Sequence, residues 1–314
     1  MHSVAITGAR GFIGSALTDQ LLRLGYSVRL LARSRRGMES FEARGAELII
    51  GNLAELTALK TLCQGVDAVI HCAGTVRGRT LEDFLPGNRD GTENLVRVLE
   101  GETNAPPPLL VLSSLAAREP QLSHYARSKR MGEEVLENHQ GRLAWTCLRP
   151  PAVYGPGDRE LVPLLRLMAK GWAPLPASPD NRVSLIHLDD LLSAVLAWLT
   201  VSGLHSDLRG VFTLSGPEAC GCSWRELAAL IGKITARKVR LVPLPATLLD
   251  SVAWLNFQAA GVCGYAPMLT PRKLRELRHP DWVCDSSTLM ARIEWQPEVP
   301  LSLGLPPLIQ PEER

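Results

Sequence analysis

The chain has 314 residues, 46% hydrophobic and 21% charged, an ordinary globular composition that excludes a disordered protein. Its formal net charge of +2 is too small for a chain whose main partner is nucleic acid. Seven scattered cysteines are not a disulfide framework, and Cys220-x-Cys222 has no second Cys or His pair at metal-site spacing, so reduced thiols, no metal and a cytoplasmic location are expected.

Val4–Thr7 reads as a first strand, with too few apolar residues before it for a signal peptide. Short apolar runs recur at Ser27–Ala32, Glu47–Ile50, Ala68–Cys72, Leu109–Ser113 and Trp145–Leu148. Amphipathic stretches alternate with them at Ser15–Leu24, Leu53–Cys63, Asp90–Leu99 and Ser128–Asn138. This alternation predicts βαβ units and an α/β fold: a doubly wound parallel sheet with helices on both faces. After Pro150 the texture changes, because Pro151, Pro156, Pro163, Pro174, Pro176 and Pro179 break the chain into shorter pieces. Val183–His187 then reads as a strand, Leu188–Thr200 as a helix and Val211–Ser215 as a strand rejoining the main sheet, with the remainder helical until Trp282. The expected division is a nucleotide-binding domain over 1–155, to which 183–216 partly return. Residues 156–182 and 217–314 then form a smaller C-terminal α/β substrate-binding portion.

The most apolar stretch, about Leu244 to Leu269, is interrupted by Pro245, Asp250, Asn256 and Gln258 and falls short of a membrane-spanning helix. A buried helix pair is the plain expectation; the alternatives are a greasy substrate pocket and contact with a membrane surface.

Thr7-Gly8-Ala9-Arg10-Gly11-Phe12-Ile13-Gly14 joins the first strand to the first helix. Gly8 suits a tight turn, Gly11 the close approach of a pyrophosphate, and Gly14 close packing of helix on strand. The pyrophosphate would meet unpaired N–H groups at the positive end of the helix dipole. That context makes the turn a dinucleotide site on a Rossmann sheet. An acidic residue at the end of the second strand would select NAD, but the sequence there is Ala32-Arg33-Ser34-Arg35-Arg36. Arg33, assisted by Arg10, suits the 2′-phosphate of NADP, with NAD the alternative.

Tyr125 and Lys129 lie four apart on a helical pattern and so share a face. An ammonium beside a phenol favours the phenolate and fits the tyrosine for acid–base work, and Ser113-Ser114 ends the preceding strand.

With these residues the chain resembles the extended short-chain dehydrogenase/reductases of the NAD-dependent epimerase/dehydratase group. The resemblance covers about the first 200 residues. It is carried by Thr7–Gly14, His71-Cys72-Ala73-Gly74, Asn88-x-x-Gly91-Thr92-x-Asn94-Leu95, Ser113-Ser114, Tyr125-x-x-x-Lys129, Arg149-Pro150-x-x-Val153-Tyr154-Gly155-Pro156-Gly157 and Ile186-His187-Leu188-Asp189-Asp190. It implies Ser114, Tyr125 and Lys129 as the catalytic triad, with Lys129 also holding the nicotinamide ribose. It also implies cofactor contacts from Gly8, Arg10, Gly11, Phe12, Ile13, Gly14, Arg33, Asn52, Leu53, Ala73, Gly74 and Pro150. His71, Asn88, Asn94, His187 and Asp190 are expected to be structural, and Trp295 lies in a closing Trp-x-Pro segment like the family's. A homodimer is what the resemblance suggests.

Two departures bear on substrate. Only ten residues separate Ser114 from Tyr125, leaving little loop to wrap a ligand. Sugar-nucleotide members often carry an arginine at the position of Val183 to grip a diphosphate, whereas here the arginine is Arg182, one residue off, and a one-residue slip reverses the face. The leading expectation is an NADP(H)-dependent oxidoreductase acting on a ketone or secondary alcohol, with an apolar substrate if Pro245–Leu269 lines the site. The alternatives are a sugar-nucleotide epimerase or dehydratase with tightly bound NAD, and a non-catalytic NADP(H)-binding scaffold.

Overall fold

The computed structural model describes residues 3–102, 105–202 and 208–309. The chain forms two compact units, one of Met1–Pro120, Tyr125–Arg149 and Val195–Phe212, the other of Gln121–His124, Pro150–Ala194 and Thr213–Arg314. The strands in chain order are β1 (Ser3–Thr7), β2 (Ser27–Ala32), β3 (Glu47–Ile50), β4 (Ala68–His71), β5 (Leu109–Leu112), β6 (Trp145–Arg149) and β7 (Ala152–Tyr154). They continue with β8 (Trp172–Leu175), β9 (Arg182–Val183), β10 (Leu185–His187), β11 (Gly210–Thr213), β12 (Cys222–Ser223), β13 (Arg240–Pro243) and β14 (Asp281–Trp282). The helices used below are α1 (Phe12–Arg23), α2 (Glu39–Glu42), α3 (Leu56–Cys63), α4 (Gly91–Glu102), α5 (His124–Glu137), α6 (Val162–Ala169), α7 (Leu188–Val201), α8 (Trp224–Thr235), α9 (Ala246–Cys263) and α10 (Pro271–Leu277).

In the first unit one sheet runs β11-β6-β5-β4-β1-β2-β3, and β1 to β6 pair in parallel. β4 and β5 are buried at every position, which is why they are apolar but for His71 at the end of β4. Leu59 and Leu62 of α3, Leu95 and Leu99 of α4 and Leu136 of α5 pack with Val69, Leu109 and Trp145 into the core on one face. The strand order reverses between β1 and β4, and the crevice beyond the carboxyl ends of these two strands is where such sheets take ligands.

The second unit is built from small sheets: β7 with β10, β8 with β13, and β9 between β12 and β14. Leu165 and Met168 of α6 and Ile231 of α8 form its core with Tyr154 and Leu305. α8 begins with a capping box, Ser223 accepting from Glu226 N while the Glu226 carboxylate accepts from Ser223 N. The closing segment is pinned at the start of α7, where Asp190 accepts from Glu298 N at 2.8 Å and Val299 N at 3.1 Å, and Trp295 Nε1 donates to Ser193 Oγ at 2.8 Å.

Four local expectations are corrected. The single strand Val183–His187 is two strands, because β9 pairs with β12 and β14 whereas β10 pairs with β7. α3 starts at Leu56 rather than Leu53, since Asn52 Oδ1 accepts from Ala54 N and holds a turn there. The stretch before Trp282 is not all helical: β13 interrupts it, pairing in parallel with β8. Finally, the apolar stretch is not a buried helix pair. α9 buries only Ala253 and Ala260, while Leu248, Val252, Trp254, Leu255 and Val262 are exposed.

Candidate active site

The glycine turn sits at the carboxyl end of β1. Gly8 has φ +81°, and a Cβ there would lie 2.5 Å from Ala73 N, so both its backbone angle and the neighbouring loop exclude a side chain. A Cβ on Gly14 would lie 2.3 Å from Gly8 O, which fixes the close packing of α1 on the turn. Gly11 is the N-cap of α1 and supplies no capping side chain. The N–H groups of Phe12, Ile13 and Gly14 therefore have no partner within the helix, and the turn is a donor-lined concavity suited to a pyrophosphate.

The loop after β2 is basic. Arg33 and Arg36 are exposed there, Arg35 lies 3.9 Å from Glu42 in α2, and Arg10 reaches across from the glycine turn, so that a Cβ on Gly37 would be 3.7 Å from its Nη2. Arg10, Arg33 and Arg36 take part in no ion pair among the described residues. At the end of β3 the Asn52 amide is engaged in its own turn, Oδ1 with Ala54 N and Nδ2 with Glu55, and Asn94 Nδ2 donates to Leu53 O at 2.9 Å. Ala73 and Gly74 follow β4. Pro150, directly after β6, is buried and belongs to the second unit.

Tyr125 and Lys129 both lie on α5. Tyr125 is half-buried, its ring 6.3 Å from that of Phe84. Lys129 is buried and donates from Nζ to Leu112 O at the end of β5, at 2.9 Å. Burial holds the Lys129 pKa below its ordinary value, with Cys147, Glu133 and Cys72 pulling the other way. Ser114, just after β5, is half-buried and accepts from Ala116 N at 3.2 Å, leaving its hydroxyl proton to donate. Burial pushes the Cys72 thiol to about 12, so it stays protonated at neutral pH and is no nucleophile.

Two groups of polar residues hold this constellation, and sequence reasoning identified only one. Asn88 was expected to be structural. Its Oδ1 accepts from Thr75 N at 2.9 Å, and its Nδ2 donates to Thr75 O at 2.9 Å and to Ser128 Oγ at 2.8 Å, joining the loop after β4 to α5. The other group is a buried carboxylate that the sequence reading passed over. Glu133, 1% exposed, accepts from Ser113 Oγ at 2.5 Å, from Arg149 Nε and Nη2 at 2.8 and 2.5 Å, and from Arg130 Nη1 at 3.2 Å. Its hydrogen bonds hold the Arg149 pKa above the ordinary value. The network locks α5 to the ends of β5 and β6, and thereby the register of Tyr125 and Lys129. The available signal was position, since Glu133 lies one helical turn beyond Lys129 on the same face.

His71 ends β4, and its Nδ1 is 2.6 Å from Thr7 Oγ1, which itself accepts from Ala73 N at 3.3 Å. Burial, reinforced by the Lys129 charge, pushes the His71 pKa down to about 3. The unfolded chain therefore binds a proton near pH 6.5 that the folded chain refuses, and stability contributed by the neutral ring falls as pH drops from 6.5 toward 3, at about 1.4 kcal/mol per pH unit. Chemical denaturation between pH 7 and 5 is expected to show this loss, and His71→Gln to lessen it by roughly 2 kcal/mol. Parallel stability profiles for the two proteins would remove His71 as the source.

In the second unit the arginine beside the diphosphate-clamp position is already occupied. Arg182 donates from Nε to Cys220 O and from Nη2 to Gly221 O, both at 3.0 Å, and its Nη1 pairs with Glu226 at 3.3 Å. Val183 sits in β9 opposite Cys222. His187 and Tyr154 stack edge to face at 5.1 Å, and a Cβ on Gly304 would lie 2.5 Å from the Tyr154 hydroxyl, so these residues pack the fold.

Residues 4–207 match the model of the NAD dependent epimerase/dehydratase family. The chain is 33% identical over 286 residues to the ceramide reductase of Caulobacter vibrioides, spanning 91% of this chain and 87% of that one. It is 30% identical over 207 residues to the 2-alkyl-3-oxoalkanoate reductase of Stenotrophomonas maltophilia, 60% of this chain and 62% of that protein. Among solved structures, the UDP-glucuronic acid 4-epimerase of Bacillus cereus, bound to UDP-glucuronic acid and NAD, aligns over 96% of both chains with a TM-score of 0.73 at 20% identity, a likeness of fold.

Proposed function

The chain belongs to the NAD dependent epimerase/dehydratase family and is an NAD(P)-dependent oxidoreductase of the extended short-chain dehydrogenase type, and from that premise we propose that it reduces a ketone on an apolar, long-chain molecule with NADPH. The observation that carries the choice of substrate class is the state of Arg182: both carbonyls and the carboxylate it binds are its own neighbours, so no guanidinium is left there for a sugar-nucleotide diphosphate. Two relatives carry the names of reductases, of a ceramide and of a 2-alkyl-3-oxoalkanoate, which supports the same class.

In this reading the turn Gly8–Gly14, with the N–H groups of Phe12 and Ile13, holds the pyrophosphate of the cofactor. Arg33 and Arg10 hold the 2′-phosphate, Asn52 and Leu53 flank the adenine, and Ala73 and Gly74 lie along the remainder. When bound, the nicotinamide supplies the hydride. The chain's own groups manage the oxygen. Ser114 donates a hydrogen bond that orients the substrate carbonyl, and Tyr125 delivers its phenolic proton as that oxygen becomes an alcohol. Lys129 stabilises the phenolate left behind and binds the nicotinamide ribose. The seven free thiols support a cytoplasmic location, and family membership supports a homodimer, which light scattering measures directly.

Incubation with NADPH and a long-chain ketone, set beside UDP- and dTDP-sugars, tests the reading. Consumption of NADPH in step with alcohol formation is expected; an epimerised sugar nucleotide formed without net consumption of cofactor would replace it with the epimerase alternative. Cofactor choice is tested separately. Arg33→Asp removes a charged hydrogen bond worth about 1.5–3 kcal/mol, so the Kd for NADPH is expected to rise about 10- to 100-fold while that for NADH stays put. Equal changes for both cofactors would show that Arg33 does not read the 2′-phosphate.

A further inference from the structure

Helix α9 carries its apolar residues on the wrong side for a core. Leu248, Val252, Leu255 and Val262 are 55%, 44%, 59% and 88% exposed. Their spacing places them within one stripe along the helix, about 21 Å from end to end at 1.5 Å per residue. Tyr265, just past the helix end, is also exposed, as is Trp254, which lies one turn beyond Asp250 on the side of the helix facing α10. The sole formal charge in α9 is Asp250, which lies on the opposite side of the helix and is taken up by Arg278 at 2.8 Å. Next to this face, α10 presents Arg272 and Arg275, both exposed and in no ion pair among the described residues. Arg275 lines a groove with Trp254 and Leu255 and with the Asp250–Arg278 pair. Asn256 Nδ2 holds the returning chain through Leu269 O at 2.7 Å, so α9 and α10 stay side by side.

We propose that α9 and α10 form a docking surface for an anionic lipid bilayer, with the α9 stripe lying in the interface and Arg272 and Arg275 against the headgroups. An apolar stripe with a basic edge beside it is what an interfacial helix needs. No helix among the described residues is long and apolar enough to cross a membrane, so the helix lies on the bilayer rather than through it. Charge selects the occupant. The acids of α9 and α10 are bound, Asp250 by Arg278 and Glu276 by Lys273, so a second copy would offer the two arginines no counter-charge, whereas an anionic leaflet does. The surface rests on these two helices alone, and its failure would leave the proposed reaction untouched.

Flotation with phosphatidylglycerol-containing vesicles, and with phosphatidylcholine vesicles as the neutral control, tests the surface on the full chain. Binding to the anionic vesicles is expected, weakening sharply in about 1 M salt, where the Debye length is ~3 Å. The Leu255→Glu/Val262→Glu variant is expected to lose about tenfold or more of its partition, and Arg272→Glu/Arg275→Glu a similar factor on anionic vesicles alone. NADPH affinity, unchanged in both, confirms folding. Wild-type protein that stays at the bottom of the gradient, or stripe variants that float as well as wild type, would overturn the proposal. So would stripe variants that only turn a dimer into a monomer, which would assign the face to a second copy.

Discussion

Tyr125→Phe is expected to lower kcat by about 10²–10⁴-fold, the usual contribution of a positioned general acid. NADPH affinity and melting temperature should stay close to wild type. The reasoning is local. The substitution deletes one hydroxyl from a half-buried ring and keeps the ring's contact with Phe84. α5 remains anchored by Ser128, by Lys129 bonded to Leu112 O, and by the Glu133–Arg149 pair. The proton delivered to the substrate oxygen is lost while these anchors stay. Stopped-flow binding beside steady-state kinetics separates the two effects. Turnover within about tenfold of wild type would place the acid elsewhere, and intact cofactor binding without turnover in the wild type itself would favour the scaffold reading.

Gly8→Ala is expected to cost about 3 kcal/mol or more, from a strained positive φ and from overlap with the backbone of the loop after β4. Gly25 is the natural control. Its φ of +80° matches the +81° of Gly8, yet a Cβ there meets nothing within 4 Å, whereas on Gly8 it falls 2.5 Å from Ala73 N. Gly25→Ala therefore incurs backbone strain alone, about 1 kcal/mol. The Gly8 variant is expected to melt several degrees lower than the Gly25 variant and to lose NADPH binding, because the turn and the loop along the cofactor separate together. Equal melting temperatures, with NADPH retained in both, would show that the contact between Gly8 and Ala73 is not what shapes the cradle.

The parts of the molecule legible in the sequence are those where one physical demand acts on consecutive residues. β5, and β4 up to the hydrogen-bonded His71 at its end, had to be apolar because both faces are covered, and the glycines at 8, 11 and 14 answer three separate close approaches in one turn. Tyr125 and Lys129 could be paired from helical spacing alone. Other features left no local trace. β9, β12 and β14 are two residues each, too short for any period, and the break at Ser184 follows from partners more than thirty residues away in the chain. Glu133 was passed over because its main partner, Arg149, is on a strand 16 residues later. α9 misled in the opposite sense. It is apolar nearly all round, which predicts burial, but exposure depends on what else packs there, and composition carries no information about a missing neighbour.

The most direct test of the account uses NADPH deuterated at the transferable position of the nicotinamide, a long-chain ketone and mass spectrometry of the product. One deuterium on the new carbinol carbon per NADP formed, with Tyr125→Phe reducing both in parallel, is the predicted result. A ketone recovered unlabelled while NADPH binds in the cradle, or a product labelled only by solvent, would contradict it.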